Sequence, residues 1–120
     1  VNIGKKYAMS DDDRLAAVKA ATAKIANVEC VLHRGLLVDF CKSVNANVMY
    51  KVVRGADELS EVTTLVDINR DMWEGETVFI VADRNMRHVS ASLVRELAAF
   101  GKDYSAYVPE AALEIVKRSF

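Results

Sequence analysis

A chain of 120 residues with 52% hydrophobic and 28% charged content describes one compact globular domain and excludes disordered and fibrous classes. Sixteen Lys and Arg against seventeen Asp and Glu give a net charge of -1, so no global field draws the chain to nucleic acid or anionic lipid, and any anion site must be local. No apolar run approaches the roughly 20 residues of a membrane-spanning helix.

The elements alternate along the chain. Residues 1–3 read as the end of a strand, and residues 4–9 as a polar loop carrying Lys5 and Lys6. Because the chain opens at Val1 inside that strand pattern, further sequence is expected upstream. Ser10 with Asp13 three residues on is a capping-box pattern, and Asp11 and Asp12 suit the positive end of a helix dipole. A helix over 11–26 follows, with Leu15, Val18 and Ile25 at helical spacing. Residues 28–32 read as a short apolar strand, and Leu36, Leu37, Phe40, Cys41 and Val44 mark a short amphipathic helix.

Residues 48–53 read as a buried strand, and residues 57–73 as a helix with Leu59, Val62, Leu65, Val66 and Met72 inward. Residues 77–82, TVFIVA, are the strongest strand signal. A polar loop over 83–88 then leads to a helix over 90–100 closed by Gly101. Pro109 opens a last helix with Ala112, Leu113 and Val116 inward. With no repeat or linker in view, the expectation is a single domain over 1–120. Strands alternating with helices predict an α/β doubly wound parallel sheet covered on both faces.

In that class ligands sit beyond the carboxyl ends of the strands, which selects three loops. Lys5 and Lys6 occupy the first, Lys51 and Arg54 flank the second, and Arg84, Arg87, His88, Ser90 and Ser92 gather in the third. Each offers cations, and the third also offers helix-starting hydroxyls, so together they suit a phosphorylated ligand. Other chemistries fail on residue type. There is no Gly-rich phosphate fingerprint, no HExxH and no metal-ligand spacing, so no metal site is expected. Cys30 and Cys41 are read as buried thiols, His33 and His88 as ordinary histidines, and Asp57, Glu58 and Glu61 as answering the helix dipole. Neither a general base nor a covalent nucleophile is offered.

Four blocks in order carry a family resemblance. GKKYAMSDDDRLAAVKAATAKIANVECV resembles the SKKP-(F/M)-(S/T)-xxER helix and following strand of the phosphopantetheine adenylyltransferases of coenzyme A biosynthesis. GLLVDFCKSVNANV resembles their GLLVDFARxxGAxx stretch, VSASLVREL is similar to ISSSLVKE, and FGKDYSAYVPEAALE to the GGDVSGLVPPxV tail. The GLLVDF block speaks against a nicotinamide-nucleotide or cytidylyl enzyme of the same superfamily.

The resemblance implies a Rossmann-like fold, here N-terminally incomplete, and transfer of AMP from ATP to 4'-phosphopantetheine with magnesium assisting. It also implies a homo-oligomer, hexameric in bacterial members; the cytoplasm is expected separately, since Cys30 and Cys41 fit no disulfide framework and the first eleven residues hold no long apolar stretch of the secretory type. By position, Lys5 would meet the acceptor phosphate and the attacked α-phosphate, Leu37 would line the pantetheine channel, and Lys51 would contact phosphopantetheine. Val52, Val53 and Arg54 fall on the family's RGLR segment, Arg54 on its ATP-phosphate arginine. Met86, Arg87, His88 and Val89 fall on the adenine-side loop, and Ser90, Ala91 and Ser92 on the serines near the ATP phosphates.

The departures are Val52 for a Gly, Val62 for an ATP-contacting Glu and Ala91 for the middle serine. The family's TFDPxxxGH-type segment has no counterpart in these residues, so this chain alone is expected to be inactive. The alternative is a nucleotidyltransferase-like remnant that binds a ligand or forms an oligomer.

Overall fold

A computed structural model describes Gly4 and residues 6–120. The strand end expected at 1–3 and the site role expected for Lys5 therefore lie outside the described residues. The elements run α1 (Asp11–Thr22), α2 (Leu37–Ser43), β1 (Val48–Val53), α3 (Ala56–Met72), β2 (Glu76–Val81), α4 (Ala91–Ala99), a 3-10 turn at Ser105–Tyr107, and α5 (Glu110–Lys117). They fall into two compact units, one of residues 35–87 and one of residues before 35 and after 87. Among the described residues no helix is long and apolar enough to cross a membrane.

The 35–87 unit is a β-α-β arrangement. β1 and β2 pair in parallel with Val48 opposite Glu76 and Val53 opposite Val81. Backbone bonds continue the ladder past both ends, from Glu76 N–H to the Asn47 carbonyl and from Ala82 N–H to the Val53 carbonyl, each at 2.9 Å. The β-branched runs VMYKVV and ETVFIV suit extended backbone, since a branched Cβ packs well on a pleated surface. α3 starts at Gly55 with Asp57 and Glu58 in its first turn and Arg70 in its last, the charge order that the helix dipole favours. Its Val62 and Val66 pack with Val53 against the half-buried Phe79. The second cluster joins Val38 and Cys41 of α2 to Trp73, with Ala46, Met49 and Met72 against it. The Trp73 indole N–H donates to the Ala46 carbonyl at 3.1 Å, which fixes the ring.

In the other unit α1 packs against α5. Ser10 caps α1, accepting from Asp13 N–H at 3.1 Å, and Ser90 caps α4 in the same way through Leu93 N–H. Gly101, at φ +63, follows α4 in the left-handed conformation that a side chain would strain. Ala112 and Val116 of α5 are buried, as their spacing requires, and Val94 of α4 is buried too. Arg118 donates to Asp13 at 3.3 Å, tying the end of α5 to the start of α1.

The mixed α/β class with a parallel sheet is what the sequence pattern requires, with differences in detail. Residues 28–32 form no strand; a strand exists only with a ladder partner, and none is present for them among the described residues. α1 stops at Thr22 rather than 26 and buries no residue, so Val18 and Ile25 are exposed. In α2 the inner residues are Val38 and Cys41, while Leu36, Leu37 and Val44 face outward. In α3 Leu59 and Leu65 are exposed beside the buried Val62 and Val66. Cys30 is half-buried, its Sγ 3.2 Å from the Thr22 hydroxyl, and Cys41 alone is buried. The described sheet has two strands, and Val48, Tyr50, Val52, Val78 and Ile80 share a face that is 38–67% exposed. The 48–53 segment thus forms the expected strand but buries only Val53.

Candidate functional site

The parallel register of β1 and β2 brings two of the selected loops to one end of the sheet. Val53 pairs with Val81, so Arg54 leaves β1 beside the point where Ala82 leaves β2. Both loops stand at the carboxyl ends of parallel strands, where open α/β sheets bind ligands.

Arg54 is held there by Glu58, one turn into α3. The Glu58 carboxylate accepts from Arg54 N–H at 2.9 Å through Oε2 and from Arg54 Nε at 2.7 Å through Oε1, and Nη2 lies 2.5 Å from Oε1. One acid therefore grips both the backbone and the guanidinium of the same residue. The Arg54 backbone N–H first, then its guanidinium, and last the Lys51 ammonium, hold the Glu58 carboxyl below the ordinary carboxylate range, with burial acting the other way. A side-on grip of this kind uses the Nε edge of the fork and leaves Nη1 for another acceptor. Lys51 is exposed on β1, close enough to add charge to the Arg54–Glu58 pair. Val52 is exposed and Val53 buried. Leu37 is the first residue of α2, half exposed to solvent.

The loop after β2 is shaped by its own polar groups. Asp83 Oδ1 accepts from Asn85 N–H at 2.8 Å and the Asp83 carbonyl from Met86 N–H at 2.9 Å, the pattern of an Asx turn. Arg87 Nε donates back to the Ala82 carbonyl at 3.1 Å, pinning the turn to the end of β2. The Met86 side chain is exposed at its tip.

His88, Val89, Ser90, Ala91 and Ser92 belong to the other unit. The His88 ring meets Tyr107 edge to face at 5.8 Å. Ser90 spends its hydroxyl as the α4 cap, and Ser92 Oγ accepts from Arg95 at 3.0 Å. Val89, Ser90 and Ala91 line a cavity of about 450 Å³ whose other walls include Tyr7, Arg14, Tyr107 and Phe120.

Sequence reasoning overlooked Glu58 by assigning it to the helix dipole alone. The signal was its spacing four residues after Arg54, and α3 begins at Ala56, early enough to bring the two together. It also overlooked Tyr7, Arg14, Arg95 and Tyr107, whose meeting depends on packing among distant segments. Val62, where the resemblance puts an ATP-contacting Glu, is 9% exposed and part of the core with Val53. Among the described residues no cluster of three His, Cys, Asp or Glu could hold a metal ion, so these side chains form no metal cage of their own.

No family model matches the chain. It is similar to several curated proteins named phosphopantetheine adenylyltransferase. Against that of Micrococcus luteus it is 34% identical over 113 residues, 93% of this chain and 72% of the relative. Against that of Nocardioides sp. it is 33% identical over 110 residues, covering 92% and 69%. Against that of Staphylococcus carnosus it is 31% identical over 120 residues, covering 99% and 74%.

Proposed function

The chain belongs to the phosphopantetheine adenylyltransferase family, and from that premise we propose that it binds ATP and 4'-phosphopantetheine and transfers AMP between them. The observation that carries the reading is the meeting of the Lys51–Arg54 segment and the 82–87 loop at the carboxyl end of the β1–β2 pair. In the reaction a phosphate oxygen of 4'-phosphopantetheine attacks the α-phosphorus of ATP in line. The new P–O bond forms as the bond to the β-phosphate breaks, giving dephospho-coenzyme A and pyrophosphate.

Such a displacement needs positioning and charge stabilisation rather than a nucleophile on the protein. Arg54, oriented by Glu58, is assigned to the ATP phosphates, and Lys51 to the phosphate of the acceptor. Lys5 is assigned to both reacting phosphates by its place in the family's motif. The Met86 to Val89 loop is assigned to the adenine and Ser90 to Ser92 to the phosphates, with Leu37 along the pantetheine arm. Mg2+ would arrive on the nucleotide phosphates, where it commonly keeps most of its ligands, and would neutralise charge there. A single nucleotidyltransferase-like domain, a cytoplasmic setting and a homo-oligomer complete the proposal.

Val62 favours a second reading. A buried Val in the position of an ATP-contacting Glu removes one nucleotide contact, as expected of a module that binds ligand or assembles without turnover. One experiment separates the two: ATP and 4'-phosphopantetheine are incubated with the chain, alone and with a TFDPxxxGH-type segment of the family joined ahead of it, and pyrophosphate and dephospho-coenzyme A are measured. Equal accumulation of both products by the extended form supports the transferase. ATP binding by calorimetry without either product from either form supports the binding module.

A further inference from the structure

The amino end of the β1–β2 pair, opposite to the end where Arg54 and the 82–87 loop meet, holds a cavity built wholly from the 35–87 unit. Its volume of about 900 Å³ lies at the upper end of the range of small-molecule sites. Two turns form it, one leaving α2 through Asn45 and Asn47 and one joining α3 to β2 through Trp73, Glu74 and Gly75. Trp73 supplies a fixed apolar wall, since its ring is buried against Val38 and Cys41 and its N–H is spent on the Ala46 carbonyl. Asn45 holds φ +52, a left-handed conformation that asparagine tolerates.

The charged groups around this cavity are of both signs and do not pair. Lys42, in the last turn of α2, and Asp71 and Glu74, at the end of α3, line the same space. Among the described residues their side chains make no ion pair or hydrogen bond, with one another or with any other group. The side-chain amides of Asn45 and Asn47 also have no partner among the described residues. Arg70 differs, because its Nη2 donates to Glu76 Oε1 at 2.7 Å and is neutralised there. The carbonyls of Arg70, Asp71 and Met72 end the 17-residue α3 and receive no backbone N–H among the described residues, so the negative end of the helix dipole adds to Asp71 and Glu74. A negative region at the end of α3 and an ammonium from α2 thus share one cavity without meeting.

Such a cavity selects a ligand that carries both charges in the reverse order and spans the gap between them. We propose that it binds a zwitterion, an amino acid or short peptide whose ammonium reaches Asp71, Glu74 and the α3 carbonyls and whose carboxylate reaches Lys42. Both ends then make charge-assisted bonds. The Asn45 and Asn47 amides, each a donor and an acceptor, serve polar atoms between the ends, and the Trp73 wall takes the carbon chain. None of these residues takes part in the AMP-transfer proposal, so either can fail without the other.

The test uses the full chain and probes chosen by charge. Zwitterions from glycine to 6-aminohexanoate vary the spacing of the two charges, while hexylamine and hexanoate each keep one of them. Saturable binding of at least one zwitterion is expected, with amide shift changes centred on residues 42–47 and 70–75. Hexylamine and hexanoate should each bind at least tenfold more weakly than that zwitterion. Lys42→Gln should weaken the zwitterion at least fivefold without weakening hexylamine, and Asp71→Asn with Glu74→Gln should weaken it at least fivefold without weakening hexanoate. All three side chains are exposed, so these variants keep the parent fold. No saturable binding by any zwitterion, shifts centred on residues 54–58 and 82–87 instead, one-charge probes that bind as well as the zwitterion, or variants that act on every probe alike would overturn the proposal.

Discussion

Replacing Gly75 by Ala probes the packing that closes the amino end of the β1–β2 pair. A Cβ at Gly75 would fall within contact distance of Cζ2, Cε2 and Cη2 of Trp73, far inside van der Waals separation. The indole cannot swing away freely: it is buried against Val38 and Cys41, and its N–H donates to the Ala46 carbonyl. Making room costs that hydrogen bond, about 1 kcal/mol, and overpacking strain of about 1–3 kcal/mol. Removing a glycine returns about 0.4–1 kcal/mol through the unfolded chain, so a net loss of about 1–3.6 kcal/mol is expected. Urea unfolding followed by fluorescence suits the question, because Trp73 is the single tryptophan and reports on the site itself. Gly55→Ala is the control, since nothing lies within 4 Å of a Cβ there. Its cost should stay below about 1 kcal/mol, set by the weaker capping of Ala. A Gly75→Ala protein within about 0.5 kcal/mol of the parent, with unchanged Trp emission, would refute the packing argument.

Val38→Ala, at a side chain only 2% exposed, should cost about 2 kcal/mol in the same assay, and a cost near zero would mean that the α2 cluster collapses onto the space. Glu58→Gln should weaken ATP binding severalfold and Arg54→Ala should weaken it further, with a salt dependence that the first variant retains and the second loses; unchanged dissociation constants by calorimetry would remove the pair from the nucleotide site. The carboxyls of Glu58, Glu76 and Asp103 are all held below their ordinary range, Glu58 first by the Arg54 backbone N–H, Glu76 first by the Arg70 guanidinium and Asp103 first by the Ser105 backbone N–H. Their stabilisation is therefore present above the unfolded carboxylate pKa of roughly 4 and lost as pH falls through the lowered folded values. Thermal melts from pH 6 to 3 should show the decline, and Glu76→Gln with Asp103→Asn should flatten it; an unaltered slope would contradict the assignment. Burial raises the Cys41 thiol above its ordinary value, so iodoacetamide at pH 8 should label the half-buried Cys30 first, as mass spectrometry would show, and equal rates would speak against a closed α2 cluster.

Helix starts and the two described strands were legible because their causes are local. Ser10 and Ser90 cap through hydroxyls three residues from their partners, and the β-branched runs around 48–53 and 76–81 disfavour helix within a few residues of chain. The placement of the Lys51–Arg54 and 82–87 loops at strand ends was legible for the same reason. Which apolar residue faces inward was not. In α2 the periodic pattern offers Leu36, Leu37 and Val44 as readily as Val38, and only the position of Trp73, arriving from the far end of α3, decides for Val38 and Cys41.

Residues 28–32 show the converse, since their composition is that of a strand but a strand is a relation between two segments. The Arg54–Glu58 grip lies between these cases: its spacing is written in the chain, while its geometry depends on α3 starting at Ala56. The cavity between Arg14 and Arg95 belongs wholly to tertiary structure. The sequence by itself determined local conformation, cap chemistry and the family blocks, because each depends on neighbours along the chain. Only the fold decided the inner faces, the sharing of Asp11 between two arginines and the aromatic walls, because burial and Coulomb interaction depend on distance in space.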